Sequence, residues 1–166
     1  MIASAASAQR QSTAPVQPLA PATWDSLYAQ HRLFALRDSV GEWKGSESSM
    51  TQFYRGVVAH AFNDNDGAIA ALAPLLDSLP RGFSRTRVVD ATDALGDSYR
   101  RVYRYRESAV VYRRALALRG PAIDTAARAA FTSWALIGDA LAEVPPQRIT
   151  WTAESSGAPV ANAPHS

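Results

Sequence analysis

Asp90, Asp93 and Asp97 stand three and four residues apart, so a helix through them carries all three carboxylates on one face. Such a face repels itself unless a cation meets it. It is either a solvated surface relieved by Arg87, Arg100 and Arg101, or an acidic wall for a basic segment. The other chemically able residues are scattered. His31, His60 and His165 lie far apart and none forms an i, i+4 pair with a second ligand, so no zinc site is expected. Asp64-Asn65-Asp66-Gly67 suggests a calcium loop, but Gly67 at the sixth loop position puts Phe62 at the first and Ala73 at the twelfth, where oxygen ligands are needed. The string reads instead as a turn that supplies a helix cap. The absence of Cys removes thiolate chemistry, Fe–S clusters and Cys-ligated zinc. There is no Gly-x-Ser-x-Gly elbow, Walker loop or dinucleotide fingerprint. The expectation is a chain with no catalytic residue, no metal and no cofactor.

Arg100, Arg101, Arg104, Arg106, Arg113 and Arg114 interleave with Tyr99, Tyr103, Tyr105 and Tyr112, the pattern of a nucleic-acid strip. Residues 81–119 hold ten Arg against Asp90, Asp93, Asp97 and Glu107, a local net of +6, while the whole chain is only +2. That patch is modest, and Arg on outer helix faces and at helix C-termini needs no ligand to explain it. Nucleic-acid binding through this region is kept as a second alternative.

The elements that must position these residues are helices. The 166 residues are 47% hydrophobic and 19% charged, which suits one domain burying roughly two thirds of its unfolded surface. No apolar run approaches the ~20 residues that span a bilayer. Residues 1–22 are Ala, Ser, Gln and Pro without periodicity and read as a disordered tail or a truncated export signal. Ala6-Ser7-Ala8 resembles a signal cleavage site, although the charged and apolar regions that precede one are missing. This predicts an exported or periplasmic protein, with a cytoplasmic one as the alternative. Residues 23–144 carry about six amphipathic helices joined by short turns. Thr23 caps one that Gly41 ends; Ser48 or Ser49, the turn Asn63-Asp64-Asn65-Asp66, Ser84 and Asp124 cap others. Pro74 should kink its helix or shift its start. Residues 145–166 form a linker in which Ile149, Trp151 and Ala153 alternate with Thr150 and Thr152 as the start of a following β domain.

The pattern repeats. Leu95-Gly96-x-x-Tyr99, followed by Tyr105, Tyr112 and Ala115-Leu116, resembles the tetratricopeptide repeat, a helix–turn–helix with a small residue where its helices cross. Gly56, Ala68, Leu72, Leu75-Leu76 and Pro80 superpose on it, and Trp134-x-x-Ile137-Gly138-x-x-Leu141 matches the first helix of a third unit. The spacings of 40 and 42 residues between the glycines exceed the family's 34, Thr92 replaces a Trp, and Tyr103 stands where the turn usually has Gly. The resemblance implies an all-α fold of stacked antiparallel α-hairpins, a tetratricopeptide-like α-solenoid over residues 48–144, with Trp24 to Val40 as an unpaired capping helix. Such stacks bind peptides on the concave face of each first helix. Carried over position by position, the groove consists of Met50, Phe53, Val57 and His60, then Asp90, Asp93, Asp97 and Arg100, then Asp139.

A second resemblance covers Phe53-Tyr54-Arg55-Gly56, Ala61-Phe62-Asn63-Asp64 and Val144-Pro145-Pro146-Gln147. These strings, after an export-like start, are similar to the N-terminal region of bacterial retropepsin-like aspartic protease precursors. The resemblance implies a protease domain further along, beginning with strands and an Asp-Thr/Ser-Gly loop. No such loop occurs here: Asp124-Thr125-Ala126 lacks the Gly, and no catalytic residue is carried over. The first expectation is therefore a non-catalytic interaction module whose partner is a protein or peptide segment, its own C-terminal domain included. The alternative is the accessory region of an exported protease.

Overall fold

The computed structural model describes residues 21–81, 83–117 and 123–144, so the expected tail at 1–20 and strand at 149–153 lie outside it. Seven α-helices and no strand occur among the described residues: α1 Pro21–Ala29, α2 Leu33–Glu42, α3 Ser49–Ala61, α4 Asn65–Asp77, α5 Arg85–Arg101, α6 Tyr105–Ala117 and α7 Thr125–Glu143. Four starts are fixed by the caps the sequence offers. Ser48 accepts from the Thr51 N–H at 3.1 Å, Asp64 from Gly67 at 2.9 Å, Ser84 from Arg87 at 3.3 Å and Asp124 from Ala127 at 2.7 Å. The Asp64–Gly67 bond accounts for the Asp-rich turn, because a side chain at Gly67 would collide with the capping carboxylate. Helix α4 runs through Pro74 unbroken. The ring sits in its last turn on an exposed face, where water can serve the carbonyl that Pro74 leaves unpaired.

The segment read as one helix from Thr23 to Gly41 is a hairpin. It breaks at Gln30–Arg32, and α1 begins at Pro21, which puts Thr23 inside the first turn. No Gly or Pro marks the break; His31 makes it by adopting φ 54°. The α3–α4 and α5–α6 turns use the same device at Asn63 and Tyr103, each with φ 62°. In all three the residue with positive φ donates to the carbonyl three back, and its successor donates to the carbonyl five residues before itself. This doubly bonded reversal closes the free carbonyls at a helix C-terminus. Each turn lies seven residues after Trp24, Gly56 and Gly96 respectively, so the described chain contains three equivalent hairpins followed by α7.

The hairpins close on their glycines. A Cβ on Gly56 would lie 2.3 Å from Leu72, and one on Gly96 would lie 2.4 Å from the Tyr112 ring. The first hairpin has Trp24 at this point. The indole is fully buried and donates to Ser39 Oγ at 2.8 Å. Helices α1, α3, α5 and α7 each touch the next in that series, whereas α2, α4 and α6 do not touch one another. The stack therefore has an inner layer of first helices and an outer layer of splayed second helices. One core runs from Trp24 to Tyr99 across α1–α5, and a smaller one joins Tyr112 and Ala115 to Ile123, Phe131 and Ala135.

Candidate functional site

The inner face carries the expected groove positions, and its first half is closed. Asp25 on α1 accepts hydrogen bonds from Tyr54 on α3 and from the Arg87 guanidinium at the start of α5. The Tyr28 hydroxyl of α1 donates to Asp90 of α5 at 3.2 Å. Side chains of α1 and α5 thus meet across α3. Phe53 lies beneath them with no exposed surface, its ring edge-on to Tyr28, Tyr54 and Phe83. Val57 is 5% exposed. Both were expected to line a groove; they belong instead to the core, Phe53 because Tyr28 of α1, Tyr54 and Phe83 cover its ring. Met50 is half-buried against the same core.

The second half of the inner face gathers His60, Asp97 and Arg100. Asp97 pairs with both Arg100 and Arg101, and Arg101 also donates to Asn63 in the α3–α4 turn. Arg100 lies 3.6 Å over the Trp134 ring of α7. His60 Nδ1 is 3.2 Å from Ser98 Oγ, and its Nε2 is 3.8 Å from Asp97. The residue types evoke an acyl-transfer triad, but the geometry does not make one. Ser98 is wholly buried, and the Asp97 carboxylate is beyond hydrogen-bond range of the ring and already held by two guanidiniums. Burial lowers the His60 pKa against the opposing charge of Asp97. Burial likewise raises that of Asp90, with Asp93 adding to it and the Tyr28 bond opposing. At Asp25 burial works upward, yet the bonds from Tyr54 and Arg87 hold the carboxyl below its ordinary value. Asp93 is exposed, and Asp139 pairs outward with Arg113 of α6, apart from this cluster.

The arginine strip is largely spent within the fold. Arg87 meets Asp25, Arg104 meets Glu107, Arg113 meets Asp139 and Arg114 meets Asp77. Tyr112 is buried and Tyr99 nearly so. Tyr103 is 80% exposed with its ring edge-on to Tyr105, and Arg106 beside them is exposed.

The open concavities lie on the other side. Because first helices crowd together inside, second helices diverge outside, and a cleft opens between each neighbouring pair. The one between α4 and α6 has a volume of about 570 Å³ and a floor of Val88, Thr92, Leu95 and Tyr99 from α5. Its walls carry Leu76 and Leu79 from α4 and the following turn, and Val110 and Val111 from α6. Val110 is half exposed and Leu79 is at the rim. Arg114–Asp77 closes one side and Arg106 and Glu107 border it. The cleft between α2 and α4, about 700 Å³, repeats the arrangement over α3, lined by Val40, Val58, Ala59 and Phe62 together with Arg37, Glu47, Gln52 and Arg55. No cluster of three or more His, Asp or Glu able to hold a metal occurs among the described residues. No helix among them is long and apolar enough to cross a membrane.

Comparison with known protein families, with curated proteins and with solved structures finds no match to this chain.

The α4–α6 cleft was missed in the sequence, although one signal was present. Val110 and Val111 are consecutive apolar residues on α6, and only one of two neighbours can face its own hairpin. The surplus valine marked a second apolar surface.

Proposed function

We propose that the chain is a tetratricopeptide-like docking module that holds a protein segment and performs no chemistry, and that the segment lies in the outer cleft between α4 and α6. The observation that carries this is the cleft itself. It is apolar on three sides, within the size range of specific binding sites, and bordered by charges that can fix the register of an amphipathic helix or extended strand. The concave groove implied by the repeat resemblance is the weaker place, since Phe53 and Val57 are core and Asp97 is already neutralised. Panning a random peptide library on the full chain tests the reading. Peptides enriched on the wild type should lose binding to Val110→Arg, which fills the cleft from an exposed position, and keep it with Asp93→Ala. Binding lost with Asp93→Ala and kept with Val110→Arg returns the site to the inner face. No enrichment over an unrelated helical protein sinks the docking reading.

The strings that resemble aspartic protease precursors occupy structural positions. Tyr54 is core, Gly56 is the helix crossing, Asn63 is the turn and Asp64 is the cap. A role as the accessory part of an exported protease is a separate proposal, tested by sequencing the locus on both sides of this reading frame.

A further inference from the structure

Four charged side chains line the cleft between α4 and α6: Asp77, Arg106, Glu107 and Arg114. Three of them are spent on ion pairs, Asp77 with Arg114 and Glu107 with Arg104. Arg106 makes no ion pair or hydrogen bond among the described residues. The Glu107 carboxyl is held below its ordinary value chiefly by the Arg104 bond, and Arg106 contributes least, as a longer-range attraction. Arg106 also opposes the helix that carries it. It stands in the first turn of α6, where free N–H groups and the helix dipole favour an anion over a cation. Neither its own helix nor an ion pair accounts for a cation at this point.

Tyr99 closes the same end of the cleft from below, because it and Arg106 flank the α5–α6 turn. It is 8% exposed, and its hydroxyl makes no hydrogen bond among the described residues. The Arg104 guanidinium lies 4.7 Å over its ring. Burial raises the pKa of the phenol, with Arg104 opposing, so Tyr99 keeps its proton at neutral pH and can donate it. A donor this deep calls for an acceptor, and the acceptor has to enter from the cleft. The rest of the lining is apolar, through Leu76, Leu79, Val88, Val110 and Val111. An apolar trough thus ends in one unpaired cation and one unpaired donor.

We propose that the segment held in the outer cleft is acidic: the Arg106 guanidinium and the Tyr99 hydroxyl receive an Asp or Glu side chain, and the apolar side chains of the segment lie along Leu76, Leu79, Val110 and Val111. This rests on the docking reading and adds the chemistry of the partner to it. Arg106 precedes Val110 by four residues on α6, about 6 Å along the axis. The acid and its nearest apolar anchor therefore stand one turn apart in a helical segment, or two residues apart in an extended one. A basic side chain at the same place would face Arg106 and is disfavoured. The net charge of +6 over residues 81–119 favours the encounter with an anionic partner as well.

Panning the peptide library on the full chain with Arg106→Glu, beside the wild type, tests this. Wild-type binders should carry Asp or Glu at that distance from an apolar anchor, and Arg106→Glu should select Lys or Arg there. In calorimetric titration of the tightest wild-type peptide, changing its acid to the amide should weaken binding about three- to tenfold. The same change should have little effect on binding to Arg106→Gln, and Tyr99→Phe should cost about two- to fivefold. A merely structural role for either residue would instead weaken the acid and amide peptides alike. Peptides that are lost to Val110→Arg but show no acidic preference overturn the proposal and leave the docking reading standing. So does a preference that Arg106→Glu leaves unchanged. No enriched peptide sinks both, and laurate binding in that case would assign the cleft to a free amphipathic carboxylate.

Discussion

Tyr103 is the residue at which sequence and geometry disagree most usefully. It holds a left-handed conformation with φ 62° while 80% exposed, so little packing offsets the strain. A bulky L-residue in that region costs about 1–2 kcal/mol, and Gly escapes most of it. Tyr103→Gly is therefore expected to raise stability by about 0.5–1 kcal/mol after the entropy glycine adds to the unfolded chain, read as a rise in the urea midpoint at constant slope. The same comparison explains why the first hairpin escaped sequence reading. Gly is the usual signal for such a turn, and His31 performs the reversal with none of that signal. His60 offers a second test at this scale. Burial holds its folded pKa below the ordinary 6.5, so the unfolded state binds the proton more tightly. The stability it secures is complete above pH 6.5 and is lost as pH falls through the lower folded value. Chemical denaturation of wild type and His60→Gln at about pH 7.5 and about pH 5.5 should show a loss in the wild type that the variant lacks in part.

At the scale of elements, the stack depends on how closely helices cross. The sequence marked Gly56 and Gly96 as crossings by their place in the repeat, and Leu72 and Tyr112 fill the space as expected. Gly96→Ala gains about 1 kcal/mol of helix propensity but drives a methyl into a fully buried ring, an overpacking cost of about 1–3 kcal/mol. The expected result is a net loss and a lower melting temperature. Gly41 isolates the propensity term, because it lies inside α2 and a methyl group added there would meet nothing within 4 Å. Gly41→Ala should stabilise by about 0.5–1 kcal/mol, and equal signs for the two substitutions would contradict the packing account. Helix capping at Ser84 and Asp124 was legible because caps are local, and the caps at Ser48 and Asp64 were legible to within a residue or a turn. The pairing of α1 with α2 was not, because it is fixed by a buried Trp24–Ser39 bond and by edge-on contacts of Trp24 with Trp43 and Tyr54, all of them distant in sequence.

At the scale of the whole molecule, the position of the clefts follows from curvature. The inner helices α1, α3 and α5 are drawn together by Asp25, Tyr28, Asp90 and Arg87, and the outer helices diverge in consequence. Assigning groove positions from a repeat family presumes the family's curvature. Here His60, Asp97 and Arg100 lie together on the inner face while Phe53 and Val57 are core, since the degree of closure depends on contacts between α1 and α5, such as Tyr28 with Asp90, 62 residues apart in the chain. The most direct test of the outer-cleft account is a chemical-shift map of the isotopically labelled full chain titrated with its tightest library-selected peptide. The account predicts shifts concentrated at Leu76, Leu79, Val88, Val110 and Val111. Shifts concentrated instead at Asp93, Asp97 and His60, with the α4–α6 cleft silent, would contradict it.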